Sequence, residues 1–145
     1  MQRREVMGIL ASADAADLAT AFEHLEHVPA HRVLRGPESG LVMVRGRAGG
    51  GGAPFNLGEV TVTRASVRLE SGAVGHAYCL GTDGVKVVRA AVVDAMWQED
   101  ATRGRVERDY LKPLRAIQDA ADRQLHEETA ATQVDFFTMV RGEDA

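Results

Sequence analysis

Gly58-Glu59-Val60-Thr61-Val62-Thr63-Arg64-Ala65-Ser66-Val67-Arg68-Leu69 reads as one long β-strand. β-branched residues dominate it, proline is absent, and polar and apolar residues alternate with a period of two. By that parity Val60, Val62, Arg64 and Arg68 share one face, and Thr61, Thr63 and Ala65 share the other. Ser71-Gly72 then turns the chain into Ala73-Val74-Gly75-His76-Ala77-Tyr78-Cys79-Leu80, an antiparallel partner. Upstream, Arg32-Val33-Leu34-Arg35 and Leu41-Val42-Met43-Val44-Arg45 flank Gly36-Pro37-Glu38-Ser39-Gly40, whose turn chemistry predicts a hairpin. The count is therefore about four antiparallel strands within 32–80.

Helical patterns lie on both sides of this block. Val6, Ile9 and Leu10 fit a first helix near 2–12. Leu18, Phe22 and Leu25 fit a second that opens at the N-cap candidate Asp14 and ends before Pro29, so the N-terminal helices occupy 2–28. Past Gly81-Thr82-Asp83-Gly84, a helix near 85–100 carries Val85, Val88, Val92, Ala95 and Met96. After a charged segment from Glu99 to Asp109, Pro113 suits the first turn of a further helix, with Leu114, Ile117, Ala121 and Leu125 on one stripe. Helices thus fill 85–131. Short antiparallel strands between helical blocks predict an α+β fold in a single domain spanning 1–145.

Composition narrows the classes of function. Hydrophobic residues make up 45% and charged residues 26%, as in ordinary globular chains. A net charge of −4 argues against a general nucleic-acid surface. No apolar run reaches membrane-spanning length, and Asp14 and Asp17 interrupt the N-terminus too early for a signal peptide. The single cysteine, Cys79, excludes an internal disulfide and fits a reducing compartment. A cytoplasmic location is expected, with no nucleic-acid or membrane partner.

Catalytic patterns are thin. Gly49-Gly50-Gly51-Gly52-Ala53-Pro54 lacks the Lys-Ser/Thr and the following helix of a phosphate loop, and reads as an inter-strand loop. His24, His27 and His31 have metal-like spacing, but Pro29 breaks the helix before His31 and no further ligand is near, so no metal is expected. Cys79 has no basic neighbour and reads as a small buried hydrophobe. Arg64, Arg68 and His76 lie on facing strands. Two arginines there could form a fork for phosphate oxygens, or could pair with Glu59, Glu70 or Asp83, or with another subunit.

The C-terminal stretch Val134-Asp135-Phe136-Phe137-Thr138-Met139-Val140-Arg141-Gly142 holds half of the chain's four phenylalanines. Termini normally fray. Burial of Phe136, Phe137, Met139 and Val140 would contribute roughly 6–12 kcal/mol, at about 1.5–3 each. This tail, 134–145, therefore docks either on its own core or on another chain, and Val134 to Arg141 are candidate partner-interface residues.

That tail, taken with Thr63-Arg64-Ala65-Ser66-Val67-Arg68-Leu69, Gly72 and Gly75, resembles the PhnG family, the G subunit of the bacterial carbon–phosphorus lyase core complex. The resemblance runs through nearly the whole chain. It implies a subunit that works with H, I and J subunits, most directly the I subunit, in phosphonate catabolism. With an ATP-binding-cassette-type subunit, G, H and I together exchange the adenine of ATP for methylphosphonate, giving ribose 1-methylphosphonate 5-triphosphate. ATP is then a substrate of the assembly, and no cofactor is held by this chain alone. The implied role is non-catalytic, since the resemblance transfers no catalytic residue and the isolated chain is expected to be inactive. Thr82 and Val88 depart from residues that some members carry. The alternative is a free-standing, homo-oligomeric binding protein or enzyme for a phosphorylated metabolite, using Arg64, Arg68 and His76.

Overall fold

A computed structural model describes residues 1–48 and 51–132. The candidate interface residues Val134 to Arg141 lie outside the described residues, as do Gly49 and Gly50 of the glycine run. In chain order come helices α1 (Arg3–Ser12) and α2 (Ala15–Glu23), strands β1 (His31–Gly46), β2 (Phe55–Leu69) and β3 (Val74–Leu80), and helix α3 (Gly84–Gln98). Helix α4 (Asp100–Val106), a π-helical turn (Glu107–Leu111) and helix α5 (Lys112–Ala131) follow. The architecture is α+β, with one antiparallel sheet ordered β1-β2-β3.

One expected feature is redrawn. Arg32–Arg35 and Leu41–Arg45 are two parts of a single strand, not the arms of a hairpin. Gly36, at φ 75°, and Pro37 are absorbed as register shifts against β2 between Val33 and Glu38. β1 is an edge strand, where a proline without an N–H and a bulge glycine are tolerated. The predicted turn residues therefore bend a strand instead of reversing the chain.

The core lies on one face of the sheet. Ala65, Val67, Leu69, Ala77 and Cys79 point inward to α3, whose residues from Ala90 to Trp97 are all buried. The sequence stripe on α3 is thus wider than read, except at Val85, which is 61% exposed. Gly75 lets α3 and β3 approach closely: a Cβ there would overlap the Ala91 carbonyl oxygen and lie 2.6 Å from the Ala95 nitrogen. Thr63 is buried within the sheet. Its hydroxyl donates to the Gly81 carbonyl at 2.7 Å and meets Ser39 Oγ at 2.8 Å, linking all three strands' surroundings.

Helix α1 lies beside the free edge of β3. Asp94 of α3, fully buried, accepts from Arg3 Nε at 3.1 Å and Arg3 Nη2 at 2.8 Å. It also accepts from the backbone N–H of His76 at 2.9 Å and from Gln98 Nε2 at 3.2 Å. One carboxylate therefore ties α1, α3 and an otherwise open strand edge.

The charged segment after Glu99, which lies within the helical region 85–131, is itself helical. Its π-helical turn places both Tyr110 and Leu111 in the core beside Val106, and the Tyr110 hydroxyl donates to the Leu18 carbonyl at 3.2 Å. Asp83 caps α3 by accepting from the Lys86 N–H at 2.9 Å, whereas Asp14 occupies the N-cap of α2 without a side-chain cap bond. Among the described residues, no helix is long and apolar enough to cross a membrane.

Candidate functional site

The outward sheet face is a grid set by strand register. One cross-strand row holds Arg32, Arg68 and Val74. The next holds Arg35, Ser66 and His76, and the third holds Glu38, Arg64 and Tyr78. None of these nine residues is buried. Arg64, Arg68 and His76 thus share one face, with Arg32 and Arg35 added by β1, which the sequence reading did not group with them. Once the break at Gly36-Pro37 is read as a bulge, parity along β1 supplies that signal.

The grid is unevenly neutralised. Glu38 Oε1 accepts from Arg64 Nε at 2.7 Å and pairs with Arg35 Nε at 2.9 Å. The Arg64 hydrogen bond, seconded by Arg35, holds the Glu38 carboxyl below the ordinary carboxylate range. The anticipated partners of Arg64 and Arg68, namely Glu59, Glu70 and Asp83, are not the ones used. Among the described residues Arg32 and Arg68 form no ion pair, although they are direct cross-strand neighbours. Like charges placed directly opposite one another on neighbouring strands are destabilising.

Three depressions mark the face, a small one of about 160 Å³ at the Glu38–Arg64–Tyr78 end and two others. One of about 220 Å³ is bordered by Met7, Arg35, Arg64, Ser66, His76 and Tyr78. The other, more open and about 410 Å³, is bordered by His31, Arg32, Arg68, Glu70 and the Gly72 turn. Arg64 and His76 therefore meet in one hollow, Arg64 also borders the small one, and Arg68 belongs to the third.

Ser66 Oγ lies 2.8 Å from His76 Nδ1. A nucleophilic serine needs a base held by a third group. The nearest carboxylate in the grid, Glu38, is committed to two arginines, so the pair presents hydrogen-bonding groups without the makings of a triad. Burial pushes the Cys79 thiol pKa up, and its Sγ lies 3.7 Å from the Leu10 carbonyl oxygen, the environment of an inert core thiol. His24 sits at the C-cap of α2, His27 follows in the left-handed region at φ 56°, and His31 starts β1 with Nδ1 3.3 Å from the Pro29 carbonyl. The three do not converge, and among the described residues no group of three or more His, Cys, Asp or Glu side chains is placed to hold a metal.

Two other surfaces stand out. β1 and β2 pair from His31–Leu69 out to Gly46–Phe55, whereas β3 reaches only Val62 on β2. The two-stranded arm beyond that point extends seven residues of β2, about 23 Å at ~3.3 Å per residue. On it Leu41, Met43, Phe55 and Leu57 are all at least 45% exposed. On α5 only Leu114 of the predicted stripe is buried, while Ile117 and Leu125 are 48% and 63% exposed. Long apolar side chains grouped on a projecting arm are a feature of surfaces that meet other chains.

The sequence is 54% identical over 143 residues to the alpha-D-ribose 1-methylphosphonate 5-triphosphate synthase subunit PhnG of Rhizobium meliloti (strain 1021). The match spans 99% of this chain and 91% of that protein. Residues 1–142 also match the family described as phosphonate metabolism protein PhnG, a span that includes the β2 strand, the Gly75 contact and the C-terminal stretch. The resemblance first carried by Thr63–Leu69, Gly72, Gly75 and the tail thus extends along the whole chain, which belongs to the PhnG family.

Proposed function

We propose that this chain is an accessory, non-catalytic subunit of a ribose 1-methylphosphonate 5-triphosphate synthase in phosphonate catabolism. The observation that carries the reading is the near full-length identity to a protein named as such a subunit. Physical features support it. The exposed apolar arm and the half-open α5 stripe suit a chain that completes its packing in an assembly. The outward grid lacks an oriented nucleophile, consistent with chemistry performed mainly on other subunits.

In this reading the partners are the H, I and J subunits, the I subunit most directly, and the assembly works in the cytoplasm. Val134, Asp135, Phe136, Phe137, Thr138, Met139, Val140 and Arg141 insert into the partner, and the arm residues Leu41 and Leu57 add a second contact. The free-standing alternative gains no support from the comparisons.

The test is co-expression with the H and I subunits and capture through a tag on I. The full chain is expected to copurify in constant ratio. Removal of 134–145, and separately the double change Leu41→Asp with Leu57→Asp, are each expected to reduce recovery at least about tenfold, as loss of an interface anchor does. Undiminished recovery of both variants would assign the contact to a different surface.

A further inference from the structure

We infer that the Arg32–Arg68 end of the outward sheet face is a binding site for a phosphate-type oxyanion, most fittingly an oligophosphate chain. The inference deepens the subunit reading, because it places this chain against the triphosphate end of that assembly's reactant.

Every side chain from Thr63 to Leu69 other than Arg68 has an internal task. Thr63 joins strands, Ala65, Val67 and Leu69 fill the core, Arg64 pairs with Glu38, and Ser66 meets His76. Arg68 has no such partner among the described residues, nor does its cross-strand neighbour Arg32. Two guanidinium groups carried on directly opposed strand positions repel one another unless an anion lies between them, and their planar donor forks match the oxygens of a phosphoryl group. The chain as a whole carries −4, so four arginines against one glutamate on a single sheet face is a local reversal of sign.

Geometry suits an elongated anion. Arg68, Ser66 and Arg64 project at alternate positions of β2, about 6.6 Å apart along the strand, so beyond Arg68 the anion meets the Ser66–His76 pair and those N–H groups of Arg64 other than the Nε that Glu38 holds. His76 and Arg35 flank Ser66 on either side. The hollow of about 410 Å³ beside Arg32 and Arg68 admits a phosphoryl group. Glu70 also borders it, and Glu38 closes the far end, so the two carboxylates set limits at which a polyanion must stop or bend. A flat acidic protein surface would be an equal electrostatic match but would leave this hollow unfilled, which favours the small anion.

The experiment is calorimetric titration of the full-length chain with inorganic tripolyphosphate at low and moderate salt. Binding is expected, weakening as salt rises. Arg32→Ala and Arg68→Ala are each expected to weaken it about tenfold or more, and the double variant to abolish it. Arg32→Lys with Arg68→Lys, which keeps the charge but loses the forks, should retain only part of the affinity. Arg123→Ala, on α5, should leave it unchanged. Absence of binding, or equal loss in Arg123→Ala, overturns the inference. The same preparations are captured with the H and I subunits. Wild-type chain that copurifies yet ignores tripolyphosphate defeats this inference alone, whereas failure to copurify defeats the subunit reading. A double alanine variant that loses its partners, with no tripolyphosphate binding by wild type, identifies the face as a contact for an acidic protein surface and overturns the anion site.

Discussion

Gly75→Ala is expected to destabilise the chain by roughly 3 kcal/mol or more, from the upper range of overpacking effects. The added methyl would overlap the Ala91 carbonyl oxygen and lie 2.8 Å from Ala95 Cβ, so the collision is with helix backbone and not with a mobile side chain. Relief requires α3 to lift from β3, and α3 is the element around which the core is built. For a chain of this size that cost lowers the melting temperature by about 10 °C. Thermal melts followed by circular dichroism check it. Gly8→Ala is the matched control: it lies within α1 with nothing inside 4 Å of the new methyl, and should stabilise by about 0.5–1 kcal/mol. A Gly75→Ala protein that melts with the wild type would mean the β3–α3 contact is not as close as described.

Asp94→Ala is expected to cost about 3 kcal/mol. The carboxylate is fully buried yet satisfied from several sides, by Arg3, by the His76 N–H and by Gln98. Arg3, 41% exposed, can turn back to water, and Gln98 keeps the Val74 carbonyl at 2.8 Å. The His76 N–H has no such refuge and loses its partner at the edge of β3. Asp94→Asn retains an acceptor oxygen and should cost about half as much. Denaturant melts supply the free energies, and hydrogen exchange at the His76 amide supplies the local reading. That amide should exchange far faster in Asp94→Ala, while the amides between β1 and β2 change only with global stability. Unchanged protection at His76 would remove Asp94 from the account of the strand edge.

Much of this was legible in the residues. The period-two run from Gly58 to Leu69 and the helical spacing of Val6, Ile9 and Leu10 each identify the element that the structure contains. The hairpin expected at Gly36-Pro37 was not there, because turn chemistry reports a local kink and cannot say whether the chain reverses after it. That distinction depends on β2, whose fifteen residues offer β1 a partner along its whole length. The segment between Glu99 and Asp109 falls inside the helical region read as 85–131 but carries no apolar stripe of its own, since only Val106 is buried there. Of the candidate site, Arg64, Arg68 and His76 were correctly placed on facing strands, but the contribution of Arg32 and Arg35 depends on a register that two bulges shift. The α5 stripe was correctly read as apolar. Its openness from Ile117 onward follows from the absence of a covering element among the described residues, which no periodicity reveals.

In the role proposed above, this chain supports a reaction carried out by an assembly with H and I subunits. The most direct measurement is adenine release from ATP and methylphosphonate by purified H and I subunits with the ATP-binding-cassette-type subunit, with and without this chain. Background release is expected from the chain alone and from the others without it, and turnover only when all are combined. Release by the isolated chain, or an unchanged rate when it is omitted, would contradict a supporting role.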